Sequence, residues 1–394
     1  AISGFANSAI WLIVGAFLFS RGFIKTGLGK RIAYNLIAAF GSSSLRLAYA
    51  LALSDLILAP ATPSNTARVG GVIMPITTSL AKAFGSEPQD GPRKIGSFLM
   101  QSIYQVNTIT SAMFQTSMAG NTLVAALALQ SFGIGITWGD WAMAAIVPGV
   151  IALIIMPYFI YKVYPPEIKD AREAQQMIKE ELKGLGKMSF QEWVMLGVFV
   201  LALVLWATSQ FTKIDATTVA FLGISILLAT SVLVWDDVKS EKGAWDTLVW
   251  MGTLMGFAGF LSKLGFIKWA TVLVGAYIPE GSWIIAFVIA VLINTYSHYV
   301  FASLTAHISA MFVAFSAIAI SAGAPPMLTL LMIAFTSNLC MSLTHYAAGP
   351  SPVIFNTGYV PQNAWWKLGF FSSVINLIIF VGLGSIWMKV IGMW

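Results

Sequence analysis

The run Ala61-Thr62-Pro63-Ser64-Asn65-Thr66-Ala67-Arg68 sets hydroxyls, an amide, a proline break and a cation inside an otherwise apolar stretch. Lipid tolerates irregular backbone and charge only where protein encloses them or a cavity hydrates them. Pro63 cannot continue a helix and leaves nearby carbonyls free. Ser64 and Thr66 suit helix N-caps, so a second helical arm is expected to start here, its first amides aimed into a cavity. Helix N-termini favour carboxylates and phosphates. With Asn65 and Arg68 alongside, the chemistry is that of a seat for a small anion. An unpaired arginine in lipid is costly, and two partners suit Arg68: a carboxylate of the cargo, or Asp55, nine residues before Ser64 on the opposing arm. Arg46, nearer the mouth of this hairpin, is expected at the interface, where its stem can snorkel.

Three other stretches have matching chemistry. Ser297-His298-Tyr299 stands where a second hairpin tip is expected, and His298 donates from both nitrogens when protonated. Thr116-Ser117-Met118-Ala119-Gly120-Asn121-Thr122 and Leu343-Thr344-His345-Tyr346-Ala347-Ala348-Gly349-Pro350-Ser351-Pro352 each interrupt an apolar span with small, polar and helix-breaking residues. Broken helices at equivalent places in two halves point to a binding site near the bilayer midplane. The candidate binding residues are therefore Ser64, Asn65, Thr66, Arg68, Ser117, Gly120, Asn121, Ser297, His298, Tyr299, Thr344, His345, Gly349 and Pro350, with Arg68, His298 and His345 available to balance charge. His307 reads as packing. Ser337-Asn338-Leu339 looks like a degenerate copy of Ser64-Asn65-Thr66, but its place is wrong for a hairpin tip.

The elements that must hold these residues are membrane helices. Of the 394 residues, 58% are hydrophobic and 10% charged, against about 25% charged in soluble domains. Apolar runs of roughly 17–25 residues fit bilayer-crossing helices, and the alternating segments of a β-barrel are missing. The fold class is all-α integral membrane. A single cysteine, Cys340, excludes an internal disulfide, and with three histidines and few acids neither a metal site nor a cofactor is expected. A net charge of +6 invites nucleic acid, but the basic residues sit mostly in short loops, as membrane topology requires. No nucleotide-binding P-loop is present, which argues against ATP-driven transport. Ala1 already stands in an apolar context with no charged signal region, so further helices are expected upstream.

Charged residues from Pro165 to Glu192 divide the chain, reading as a solvated linker helix at the membrane surface. The flanking segments, 1–164 and 193–394, look alike. Trp11-Leu12-Ile13-Val14-Gly15 resembles Trp250-Met251-Gly252-Thr253-Leu254; Ser64 lies 53 residues beyond Trp11, and Ser297 lies 47 beyond Trp250. Ala119-Gly120-Asn121 follows Ser64 by 55 residues, and Ala348-Gly349-Pro350 follows Ser297 by 51. Re-entrant hairpins are expected near 44–82 and 279–320, and broken spans at 95–134 and 327–356. Simple spans then fall near 8–24, 141–162, 193–211, 216–235, 245–262 and 368–388. This threading puts 16 of 22 basic residues on the linker side and four on the other: Lys213, Lys263, Lys268 and Lys389. The positive-inside bias makes the linker side cytoplasmic and the C-terminus external. The first hairpin then opens inward and the second outward, an inverted-topology repeat of the kind common in secondary transporters.

The runs Thr62 to Gly71 (TPSNTARVGG) and Leu343 to Pro352 (LTHYAAGPSP) resemble the dicarboxylate translocator branch of the divalent anion/sodium symporter family. The resemblance covers nearly the whole chain, starting after the family's first few helices. It implies exchange of di- or tricarboxylates such as 2-oxoglutarate, malate, succinate or citrate. It also implies a homodimer in a bacterial inner membrane or an organelle envelope, with a hairpin-bearing domain that slides like an elevator against a scaffold. Sodium-coupled members carry a second Ser-Asn-Thr, where this chain has Ser297-His298-Tyr299. Arg68, His298 and His345 are then expected to replace sodium ions, giving sodium-independent exchange. The alternatives are sodium- or proton-coupled symport, an anion channel, and an intramembrane enzyme, for which no nucleophile or metal partner is convincingly placed.

Overall fold

The structure, a computed structural model, describes residues 3–265 and 283–394. Lys268 and the first residues of the expected second hairpin, 279–282, lie outside the described residues. Helices dominate because lipid offers no other partner for backbone polar groups; eight described helices are long and apolar enough to cross a membrane.

Helix α1 (Ser8–Thr26) starts on the Asn7 side chain, which accepts the Ala9 amide, and stops at Gly27 with φ +73°. That left-handed residue turns the chain into α2 (Leu28–Phe40). The first hairpin follows as α3 (Ser44–Leu58), a tip, α4 (Asn65–Arg68), a π-helical segment Val69–Ile73, and α5 (Met74–Ala83). The first broken helix is α6 (Gly96–Met113) with α7 (Ala119–Phe132), and α8 (Trp138–Val163) returns to the linker helix α9 (Arg172–Gly184). The second half repeats this plan. Spans α10 (Phe190–Ala207), α11 (Ala216–Ala229) and α12 (Lys242–Lys263) precede a second hairpin of α13 (Trp283–Ser297), a turn His298–Val300, and α14 (Leu304–Ser321). The second broken helix is α15 (Pro326–Leu339), a turn Cys340–Leu343 and α16 (Pro350–Phe355). Then α17 (Gln362–Leu377) runs through a π-helical segment into α18 (Ser385–Val390).

Burial sorts these helices into an inner and an outer set. Every residue of α6 is buried, so Gln101, Asn107, Thr110 and Ser111 sit among protein rather than lipid. Ile146, Val150 and Ile154 on α8 and Ile285, Ile289 and Ile293 on α13 are exposed, forming the apolar surface that a bilayer covers.

The linker is not free in solvent. The Ser44 amide donates to the Lys169 carbonyl at 2.9 Å, Ala171 to Ser42 at 3.2 Å, and Gln175 to Ala38 at 2.8 Å. Ala174 and Ile178 are buried, so α9 packs while keeping its charged face out. Beside it, the Arg172 guanidinium holds the exposed Asp170 carboxyl at about 2, charged throughout the neutral range. Arg31 is likewise no loop charge. It donates to Glu192 at 2.6 Å and to the Gly186 carbonyl at 2.9 Å, tying α2 to the start of α10. Arg31→Ala is expected to lower stability by about 2 kcal/mol, less than a fully buried pair would lose because Glu192 keeps the Ser189 amide. A melting curve in detergent reads the loss, and Glu192→Gln in the same chain should recover part of it.

Candidate functional site

Both hairpins end on a serine-capped helix start. Ser64 accepts the Ala67 amide at 3.1 Å, and Ser303 accepts the Ala306 amide at 3.3 Å. The two tips read Pro63-Ser64-Asn65-Thr66-Ala67-Arg68 and Ala302-Ser303-Leu304-Thr305-Ala306-His307. The second tip therefore lies six residues beyond Ser297, correcting the placement at Ser297-His298-Tyr299. The physical reason is that α13 carries on through a 3-10 turn at His298–Val300, and the chain opens only at Phe301.

The broken helices meet these tips. The Ala119 amide, first in α7, donates to the Pro63 carbonyl at 3.0 Å. On the other side Gly349 stands at the start of α16, against Thr66. Between them is a cavity of about 200 Å³ lined by Pro63, Ser64, Asn65 and Thr66, by Met118 and Ala119, by Ala302, Ser303, Leu304 and Thr305, and by Ala348 and Gly349, with Phe17 of α1 on one side. Among the described residues that line it, none is charged. The first amides of a helix have no intrahelical partner, so the arms starting at Asn65, Ala119 and Leu304 turn their positive ends toward one small space. Its volume equals roughly seven waters, enough for a small organic anion and too little for a nucleotide.

Arg68 lies behind the tip, 1% exposed, and does not line the cavity. Its Nε donates to Asp55 at 3.0 Å, Nη1 to the Thr62 and Ser117 carbonyls at 2.8 and 2.9 Å, and Nη2 to Thr110 and Ser111 at 3.3 and 3.2 Å. The Thr110 hydroxyl donates a hydrogen bond to Asp55, which also accepts from Asn107 at 3.2 Å. The pair is neutral overall, so Arg68 does not supply the free positive charge expected of it. It clamps the first tip to the break between α6 and α7.

Neither expected histidine faces the cavity. His298 is fully buried with Nε2 2.8 Å from the Ala347 carbonyl. His345 accepts the Trp366 indole N–H at Nδ1, 3.0 Å away, and packs on Phe355. Its Nδ1 is taken up by the indole, so it offers no donor to a cargo from that nitrogen. Ser117 bonds within its own loop, and Asn121 donates to Ser111 and Phe114. The Asn121 oxygen accepts from Asn338 at 2.7 Å, which gives the discounted Ser337-Asn338 a role: it joins the two broken helices. Gly120 is buried, and a side chain there would strike Ile308. Ser297 bonds back to Asn294, the Tyr299 carbonyl accepts from Tyr346, the Thr344 carbonyl accepts from Tyr104, and Pro350 begins α16. Of the expected residues, Ser64, Asn65, Thr66 and Gly349 line the cavity. Ser303 and Thr305 join them unforeseen.

Residues 1–394 match the family model described as the sodium:sulfate symporter transmembrane region. Over 394 residues the chain is 52% identical to the putative malate transporter YflS of Bacillus subtilis, all of this chain aligning with 82% of that protein. It is 46% identical to the chloroplastic dicarboxylate transporter 1 of Spinacia oleracea, all of this chain aligning with 70% of that one. The fold resembles two solved transporters. YdaH of Alcanivorax borkumensis superimposes with TM-score 0.65 at 12% identity, over 100% of this chain and 87% of that one. MtrF of Neisseria gonorrhoeae gives 0.66 at 14%, over 100% and 84%.

Proposed function

The chain belongs to the sodium:sulfate symporter family over its whole length, and on that premise we propose that it exchanges small dicarboxylates across the membrane without sodium. The observation that carries this reading is the uncharged cavity where two capped hairpin tips and two broken helices converge. A dicarboxylate fits because amides and hydroxyls complete its hydrogen bonds in a space with no cation to hold it permanently. Relatives named for malate and dicarboxylate transport support the cargo class. Exchange follows from the empty state, since moving the tips through the bilayer with these donors unpaired costs desolvation that a bound anion offsets. Sodium independence is supported by the Arg68–Asp55 pair, neutral overall, whose guanidinium donors already join carbonyls and hydroxyls of a tip and a break without a dissolved ion. The hairpins with their broken helices form the moving domain of an elevator in a homodimer, and α1 with α10 to α12 belongs to the scaffold. The excess of basic residues on the linker side supports a cytoplasmic linker and an external C-terminus.

One observation favours cation-coupled symport instead: His307 takes the place of Arg68 in the second half, so that position has no permanent cation. Proteoliposomes separate the two. Labelled malate or succinate should enter only vesicles preloaded with a dicarboxylate, at equal rates in sodium and in choline buffer. Uptake into vesicles holding buffer alone, driven by sodium or a proton gradient, would overturn exchange. In the same assay Ser303→Ala is expected to raise KM about tenfold, the loss of one charge-assisted hydrogen bond. His345→Phe, outside the cavity, is expected to change KM less than about threefold.

A further inference from the structure

The second hairpin holds a buried group that the transport reading does not use. His298, His307 and Cys340 are fully buried, and one ligand atom from each lies within 4.8 Å of the others. They come from the turn after α13, the start of α14 and the turn after α15.

Hydrogen bonds fix both tautomers. A carbonyl only accepts, so His298 Nε2 carries the proton donated to Ala347, leaving Nδ1 a bare lone pair. Ser297 donates its hydroxyl proton to the Asn294 carbonyl at 2.9 Å, so its oxygen accepts from His307 Nε2 at 3.1 Å, and His307 Nδ1 is also a bare lone pair. Among the described residues neither buried Nδ1 atom has a hydrogen-bond partner. Two bare imidazole nitrogens close to a thiol make a group that lacks a donor or a cation.

The first half shows what fills such a place. Asp55 precedes Arg68 by 13 residues, and Asn294 precedes His307 by 13. Where Asp55 and Arg68 meet hydroxyls of α6, Asn294 donates to Thr336 and Ser337 of α15 at 3.4 and 3.1 Å. A guanidinium occupies the first cage, and the shorter imidazole leaves the second without a cation.

We propose that His298, His307 and Cys340 bind Zn²⁺ and that the ion clamps the second hairpin to its broken helix, as Arg68 clamps the first. Two imidazole nitrogens and a thiolate suit this borderline ion and not a hard cation such as sodium. The Nε2–H bonds to Ala347 and Ser297 are the outer contacts that orient ligating histidines. On binding, two Zn–N bonds and one Zn–S bond form, and the Cys340 thiol proton, now donated to the Ser337 carbonyl, leaves to water. Donor separations in a tetrahedral zinc site are about 3.5 Å, so the ion draws three elements together.

The test needs no transport, so its failure and the failure of the exchange reading are separate results. Detergent-purified full-length protein, free of carboxylates, is equilibrated with Zn²⁺, gel-filtered and assayed for metal. It is also titrated with Co²⁺, whose thiolate charge-transfer band reports the one cysteine among these 394 residues. The expected result is one Zn²⁺ per chain and a cobalt–thiolate band. In Cys340→Ala and His307→Gln the band should vanish and the Zn²⁺ Kd should rise at least about a hundredfold. Melting without metal checks that each variant folds, with Cys340→Ser in reserve. Wild-type protein that retains no zinc, or Cys340→Ala that binds it unchanged, overturns the proposal.

Discussion

Replacing Arg68 with alanine is expected to abolish transport and to cost about 3–5 kcal/mol of stability, the range for stripping one partner from a buried ion pair. The size follows from what stays behind. Asp55 is 1% exposed and would keep only Asn107 and Thr110 as donors. The Thr62 and Ser117 carbonyls would lose their shared donor, and the Ala119–Pro63 backbone bond would be left as a main tie between the first tip and the α6–α7 break. Lysine is no substitute, since an ammonium has three donors and no fork to span two carbonyls, two hydroxyls and a carboxylate.

A double variant separates the two losses. Asp55→Asn with Arg68→Gln removes both charges together, so the desolvation penalty goes and melting should recover most of the lost temperature. Transport should stay at background, because neutral amides do not restore the clamp. Full exchange in Arg68→Ala would show that the pair is mere packing. Recovery of exchange in Arg68→Ala by added sodium would instead mean that a dissolved ion can take the guanidinium's place, as the sodium-independent reading implies.

The membrane helices were legible because lipid imposes length and apolarity on each one, and the breaks were legible because proline, glycine and hydroxyls stand out inside such runs. The resemblance to the family, and the all-helical fold with two hairpins and two broken helices, agree with the structure and its relatives. What the sequence did not reveal was register. Trp11 to Ser64 is 53 residues and Trp250 to Ser303 is also 53, yet Leu304 in place of Asn65 hides the motif, and the histidine of Ser297-His298-Tyr299 is the more conspicuous polar residue. Counting the constant offset, which also pairs Asp55 with Asn294 and Arg68 with His307, would have found the second tip. Pairing itself is not written in composition: Arg68 could have met cargo or Asp55, and only the approach of α3 to α4 and α6 decides. The gathering of His298, His307 and Cys340 was hidden for the same reason, since 33 residues separate the cysteine from the nearer histidine.

Gly349→Ala is expected to reduce transport about a hundredfold while costing about 1–3 kcal/mol, the usual penalty of overpacking. Gly349 has an ordinary helical backbone, φ −52° and ψ −42°, so the cost is steric and not conformational. A Cβ there would fall 2.2 Å from Thr66 Oγ1 and 3.3 Å from Thr66 Cβ. Thr66 cannot swing clear, because a β-branched side chain has a second heavy atom to bring into the same space. The added methyl therefore pushes the first tip away from the second broken helix and fills the cavity between them. Gly71→Ala, on the same hairpin with nothing within 4 Å of its Cβ, is the matched control and should transport normally. Adding Thr66→Ala to Gly349→Ala removes the 2.2 Å clash and leaves only the tight 3.3 Å contact, so stability should return ahead of transport. If Gly349→Ala exchanges dicarboxylate as fast as Gly71→Ala, the cavity between Thr66 and Gly349 is not the route the cargo takes.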